Sequence, residues 1–96
     1  MLKLAVPLLR VSSSSVAEEF YCKQLGFQQE FAQRVDDAKP DPCYMGISRD
    51  EIWLIVSSFS GDGVSGGVVN MMVDDVDALH AELVAKEVRI DMGPLD

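Results

Sequence analysis

One histidine, His80, and two cysteines, Cys22 and Cys43, are all the imidazole and thiol this chain can bring to a metal or a nucleophilic site. They do not cluster. No Cys-x-x-Cys and no Cys/His pair stands at ligand spacing, so both cysteines read as reduced thiols of modest size. His80 sits in a helical apolar pattern and reads as a surface or half-buried helix residue. The glycines of "FSGDGVSGG", residues 59–67, lack both the Gly-Lys-Ser/Thr and the following helix of a phosphate loop, and read as a linker. Sixteen acidic residues against 8 basic ones give a net charge of −8. That balance argues against a nucleic-acid partner, suits solubility, and is compatible with a cationic ligand.

Ninety-six residues make one domain, and a hydrophobic fraction of 48% suits a packed core. No apolar run approaches the ~20 residues of a membrane span, and no signal peptide opens the chain, so the cytoplasm is the expected compartment. "KLAVPLLRV", Lys3 to Val11, reads as a strand with two apolar faces: Ala5, Pro7, Leu9 and Val11 on one, Leu4, Val6, Leu8 and Arg10 on the other. A helix follows. Ser15 stands three before Glu18 as in a capping box, Val16, Ala17, Phe20, Tyr21 and Leu25 recur at helical spacing, and Gly26 closes it. "FQQEFAQRV" is a further strand and "DDAKPDP" a turn. "CYMGIS" and "EIWLIVSS" form a hairpin about "RDE".

After the linker, "GVVNMMV" reads as a strand, "DDVD" as a helix cap, and "VDALHAELVAKEV" as an amphipathic helix with Val76, Leu79 and Leu83 inward. "LLRVSSSSVAEEFY" and "NMMVDDVDALHAEL" share one pattern, with Val11 and Val73 in corresponding places 62 residues apart. The expected fold is α+β: paired βαβββ modules whose sheets are concave inside and carry helices outside. Residues 1–58 make the first module, 59–67 the linker and 68–96 the start of the second. The second apolar face of the first strand then looks into a cup.

With "AVPLLRV", "FYCKQLGF", "YMGISRDEIWLIVS" and "VNMMVDDVDALHAEL" in this order, the chain resembles the vicinal oxygen chelate superfamily of glyoxalase, bleomycin-resistance and dioxygenase proteins. "AVPLLRV" and the aromatic-bearing strand pair look most similar to the bleomycin-resistance branch. The resemblance implies metal ligands on the first strand of each module and on the fourth strand. The matching residues here are Val6, Val68 and Ile55, none of which can coordinate a cation. No metal and no other cofactor is expected. The family's second module ends in three further strands, often after a "GP" stretch, whereas this sequence ends at "DMGPLD". The second module is therefore expected to be incomplete at its C-terminus, through truncation or completion by a partner chain.

Strand parity puts Trp53, Ile55 and Ser57 on the concave face with Val6 and Leu8, and Asn70 and Met72 on the side of Val68. Ile52, Leu54, Val56, Val69, Met71 and Val73 fall beneath the helices. The resemblance adds Phe31 and Tyr44, at positions matching aromatics that border a groove between two subunits in bleomycin-resistance proteins. The expected ligand site is thus Phe31, Tyr44, Trp53, Ile55, Ser57, Asn70 and Met72, with no catalytic residues. Flat aromatics beside an apolar groove stack on planar heterocycles and hold cations. The expected protein is a metal-independent homodimer that sequesters a planar or cationic small molecule, with no membrane partner. The alternatives are a glyoxalase- or dioxygenase-like enzyme and an interaction module with a filled cup.

Overall fold

The computed structural model describes residues 1–61 and 67–90. Four strands form one sheet in the order β1-β4-β3-β2: β1 Leu8–Arg10, β2 Gln28–Arg34, β3 Cys43–Arg49 and β4 Ile52–Ser57. β1 runs parallel to β4, and the other neighbours are antiparallel. Helix α1 (Ser14–Glu18) continues into a π-helical stretch, Glu19–Gln24, and together they connect β1 to β2. The element order from β1 to β4 is βαβββ. Alternation in β3 and β4 sends Cys43, Met45, Ile47, Leu54 and Val56 to one face, where they are buried with Ala17 and Phe27. Fully burying a side chain of this size contributes about 1.5–3 kcal/mol, so this layer holds the sheet to its helix.

Several expected boundaries move, each for a local reason. The first strand is Leu8–Arg10 rather than Lys3–Val11. The Pro7 carbonyl accepts the Ile55 N–H at 2.8 Å, but the next bond of a parallel ladder toward the N-terminus needs an N–H on residue 7. Proline has none. Helix α1 is capped by Ser13, not Ser15: the Ser13 hydroxyl accepts the Val16 N–H at 3.3 Å. Ser14 is drawn into the core side, where its N–H donates to the Asp41 carboxylate at 3.0 Å and its hydroxyl to the Pro40 carbonyl at 3.1 Å. The wider π turn, seen where the Leu25 N–H reaches the Phe20 carbonyl, changes the phase of the apolar face. Ala17, Tyr21 and Leu25 turn inward, while Val16 and Phe20 are exposed. Gly26 does close the helix, at φ +78°.

The Asp41 carboxylate also accepts the Ser58 hydroxyl at 2.6 Å, and the Ser58 oxygen in turn accepts the Cys43 N–H at 2.8 Å. One acid thereby ties the start of α1, the β2–β3 turn and the end of β4 together.

The expected strand "GVVNMMV" is not a strand: residues 67–73 have no ladder partner among the described residues. Strand-like alternation becomes a strand only where a neighbouring edge supplies hydrogen bonds. Helix α2, Val76–Ala85, forms as expected, and the Asp75 carboxylate caps it by accepting the Ala78 N–H at 2.9 Å. It ends at Ala85 rather than Val88, and Val76, Leu79 and Leu83 do not form a buried stripe. Val76 is exposed and the two leucines are half-buried, because no second sheet lies beneath them among the described residues. Arg49 links α2 to the first module instead, donating two hydrogen bonds to the Glu82 carboxylate (2.8 and 2.9 Å) and one to the Leu25 carbonyl (2.7 Å). Most of the linker (residues 62–66) and the C-terminal residues 91–96 lie outside the described residues.

Candidate functional site

The sheet face opposite the core carries the candidate site. Register fixes its members: Leu8 beside Ile55, Ile55 opposite Gly46, Ser57 opposite Tyr44, and Trp53 opposite Ser48. On β2, Phe31 pairs with Gly46 and Gln33 with Tyr44. Five of the seven expected residues, Phe31, Tyr44, Trp53, Ile55 and Ser57, therefore share one face.

Gly46 makes the centre of this face possible. A Cβ there would stand 2.3 Å from the Phe31 Cε1, so only glycine lets the ring lie flat over β3. Phe31 then stacks with Tyr44, ring centroids 6.2 Å apart and planes 28° from parallel. Phe31 is 39% exposed, so the pair offers π surface outward. Ser57 is different. It is fully buried, and its hydroxyl oxygen accepts the Phe59 N–H at 3.2 Å.

A β-bulge in β2 adds a residue that strand parity missed. The register steps from Gln29–Ile47 to Phe31–Gly46, leaving Glu30 as the extra residue. A bulge puts neighbouring side chains on the same side, which strict alternation forbids. The Ser48 hydroxyl donates to the Glu30 carboxylate at 2.6 Å, which locates that carboxylate on the open face. Alternation counted back from Phe31 sends Glu30 to the core face. Only the poor fit of a glutamate there could have signalled the bulge.

The two remaining expected residues separate. Asn70 joins Leu4, Pro7, Trp53, Val69 and Met71 around a cleft of about 160 Å³ between the N-terminal segment and the start of β4. Met72 is 92% exposed and stands apart from it. A larger open groove of about 360 Å³ runs beside α1, past Arg10, Val16, Phe20 and Tyr21, away from the stacked pair.

Among the described residues, no three His, Cys, Asp or Glu side chains gather in a group that could hold a metal ion. At the positions where the resemblance implies ligands, Val6, Ile55 and Val68 present hydrocarbon. His80 is half-buried on α2. Burial pushes the Cys22 and Cys43 thiols up from their ordinary value, with Glu18 adding to the rise at Cys22, so neither is an activated nucleophile. What the open face offers is a stacked aromatic pair, hydrocarbon on β4 and β1, and the Glu30 carboxylate. That combination is suited to stacking against flat molecules, and among the described residues it pairs no acid with a base.

Comparison with known proteins agrees with this architecture. The sequence model described as glyoxalase superfamily protein matches residues 1–94. A crystal structure of a member of the glyoxalase/bleomycin resistance protein/dioxygenase superfamily from Sphaerobacter thermophilus superposes with a TM-score of 0.70 at 17% identity, covering 98% of this chain and 79% of that one. The bleomycin-binding protein from the bleomycin-producing Streptomyces verticillus, in complex with copper(II)-bleomycin, superposes with a TM-score of 0.60 at 28% identity. That match covers 90% of this chain and 66% of the other. No curated protein matches.

Proposed function

Since the chain belongs to the glyoxalase superfamily, we propose that it is a non-catalytic, metal-independent binding protein that sequesters a planar or cationic small molecule on its open sheet face. The observation that carries this reading is the Phe31–Tyr44 stack, held at the surface by Gly46. Aromatic surface that contributes nothing to the core is available to a ligand ring. The 28%-identical bleomycin-binding neighbour supports the same class of ligand.

The test is titration with metal-free bleomycin, read by the fluorescence of Trp53, the sole tryptophan. Wild-type protein is expected to bind, and to bind equally in EDTA. Tyr44→Ala is expected to lose about 1–3 kcal/mol of affinity, roughly five- to 150-fold. An unchanged titration in the folded variant would remove Tyr44 from the site, and a response abolished by EDTA would reinstate a metal.

The same reading includes a homodimer in the cytoplasm. No described helix is long and apolar enough to cross a membrane. Leu2, Leu4, Val6, Val68 and Met72 are all exposed, and among the described residues no strand pairs with the outer edge of β1. Closed two-fold pairing is the common way to cover such surfaces. Sedimentation at micromolar concentration is expected to give twice the mass of the 96-residue chain. A folded monomer there would refute the pairing.

A further inference from the structure

We propose that Glu30 makes the open face selective for planar organic cations over neutral and anionic rings of the same shape. The inference rests on the ring-binding reading above and adds the charge of the ligand to it. Three features converge on this residue. The bulge brings Glu30 to the face that carries Phe31, instead of letting it alternate away. The Ser48 hydroxyl, 2.6 Å from the carboxylate, fixes where the charge stands. Ser48, Gly46 and Tyr44 follow one another on that face at intervals of about 7 Å. The carboxylate is thus one step along from the Phe31 ring, with Trp53 across from Ser48 on its other side.

Among the described residues the charge is not already neutralised by an ion pair: no lysine or arginine forms a salt bridge with Glu30. Arg10 belongs to this face by register, but its guanidinium donates back to the Val11 carbonyl and lines the groove beside α1. Arg49 is engaged with Glu82 and the Leu25 carbonyl. A flat cation lying over the ring pair would meet both the negative ring faces and the carboxylate. A neutral ring would gain only the stacking, and an anion would be repelled. Ser48 acts as a positioning residue for the carboxylate.

Three near-isosteric probes separate these contributions: 1-methylquinolinium, 1-methylnaphthalene and 1-naphthoate, each titrated against Trp53 fluorescence. Wild-type protein is expected to prefer the cation, then the neutral ring, then the anion. Glu30→Gln should lower the cation-to-neutral affinity ratio about two- to fivefold, the range of an exposed charge pair, and leave the neutral ring's affinity unchanged. Raising the salt to about 0.5 M should narrow the wild-type ratio in the same direction. Ser48→Ala should give a smaller loss of the ratio, because the charge remains but is no longer held. Equal wild-type affinity for cation and neutral ring, or an unaltered ratio in Glu30→Gln, overturns the role of Glu30. The ring-binding reading would survive that result if 1-methylnaphthalene still binds and Tyr44→Ala weakens it. If none of the probes binds wild-type protein, the ring-binding reading falls and the inference with it.

Discussion

Leu54→Ala is expected to destabilise the protein by about 2–5 kcal/mol, the largest effect of any single truncation considered. Leu54 is wholly buried, pairs across the sheet with Ile47, and lies in the layer that includes Met45, Val56 and Phe27. Removing its isobutyl group leaves a hole that rigid strands on both sides cannot close. Leu79 on α2 is the informative contrast. The helical pattern makes it look equally central, yet it is half-buried with no sheet beneath it among the described residues. Leu79→Ala is expected to cost roughly 1 kcal/mol, in proportion to the smaller area returned to water. Denaturant unfolding of both variants measures the difference. Equal losses would mean that α2 covers a core as dense as the one under α1, contrary to this arrangement.

Asp41→Ala is expected to be the next most damaging change, because it removes one acceptor from three elements at once. The Ser14 N–H loses its partner, the Ser58 hydroxyl keeps only the longer bond to the Cys43 carbonyl at 3.4 Å, and Ser14 is buried. A buried donor left unsatisfied costs about 1–3 kcal/mol. The same carboxylate gives stability a pH dependence. Burial pushes its protonation upward, but the hydrogen bonds from Ser58 and Ser14 and the charge of Arg34 outweigh that and hold it below the ordinary carboxylate value.

A carboxyl lowered in the folded state contributes stability that is fully present above its unfolded value of about 3.9 and lost as pH falls through the folded value. Acid should therefore loosen the start of α1 from the β2–β3 turn. Asp41→Asn keeps an acceptor that does not titrate. Comparing unfolding midpoints of wild type and Asp41→Asn from about pH 5 down to about pH 2.5 is expected to show a shallower acid limb in the variant. Identical slopes would assign the acid sensitivity to other carboxylates. Glu82 is one such group, held low by its hydrogen bonds and ion pair with Arg49.

Much of this protein is legible in one dimension, and particular residues show where that stops. Alternation in "YMGISRDEIWLIVS" determined β3, β4 and the division of their side chains into core and open faces, because a strand's side-chain period is two whatever surrounds it. The cap at Asp75, the helix end at Gly26 and the hydrocarbon at Val6, Ile55 and Val68 are likewise properties of local chemistry. The tertiary structure decided the rest. Four consecutive serines all make acceptable caps, and in the fold Ser13 caps the helix while the Ser14 hydroxyl and N–H go to the distant Pro40 carbonyl and Asp41 carboxylate. The pattern of 67–73 is strand-like, yet it pairs with no strand edge among the described residues. Glu30 reaches the open face only through a bulge whose position depends on how β2 registers against β3, and Phe31 lies flat there only because its partner across the ladder is Gly46. Periodicity is a property of one chain segment, whereas register, edges and bulges are properties of two.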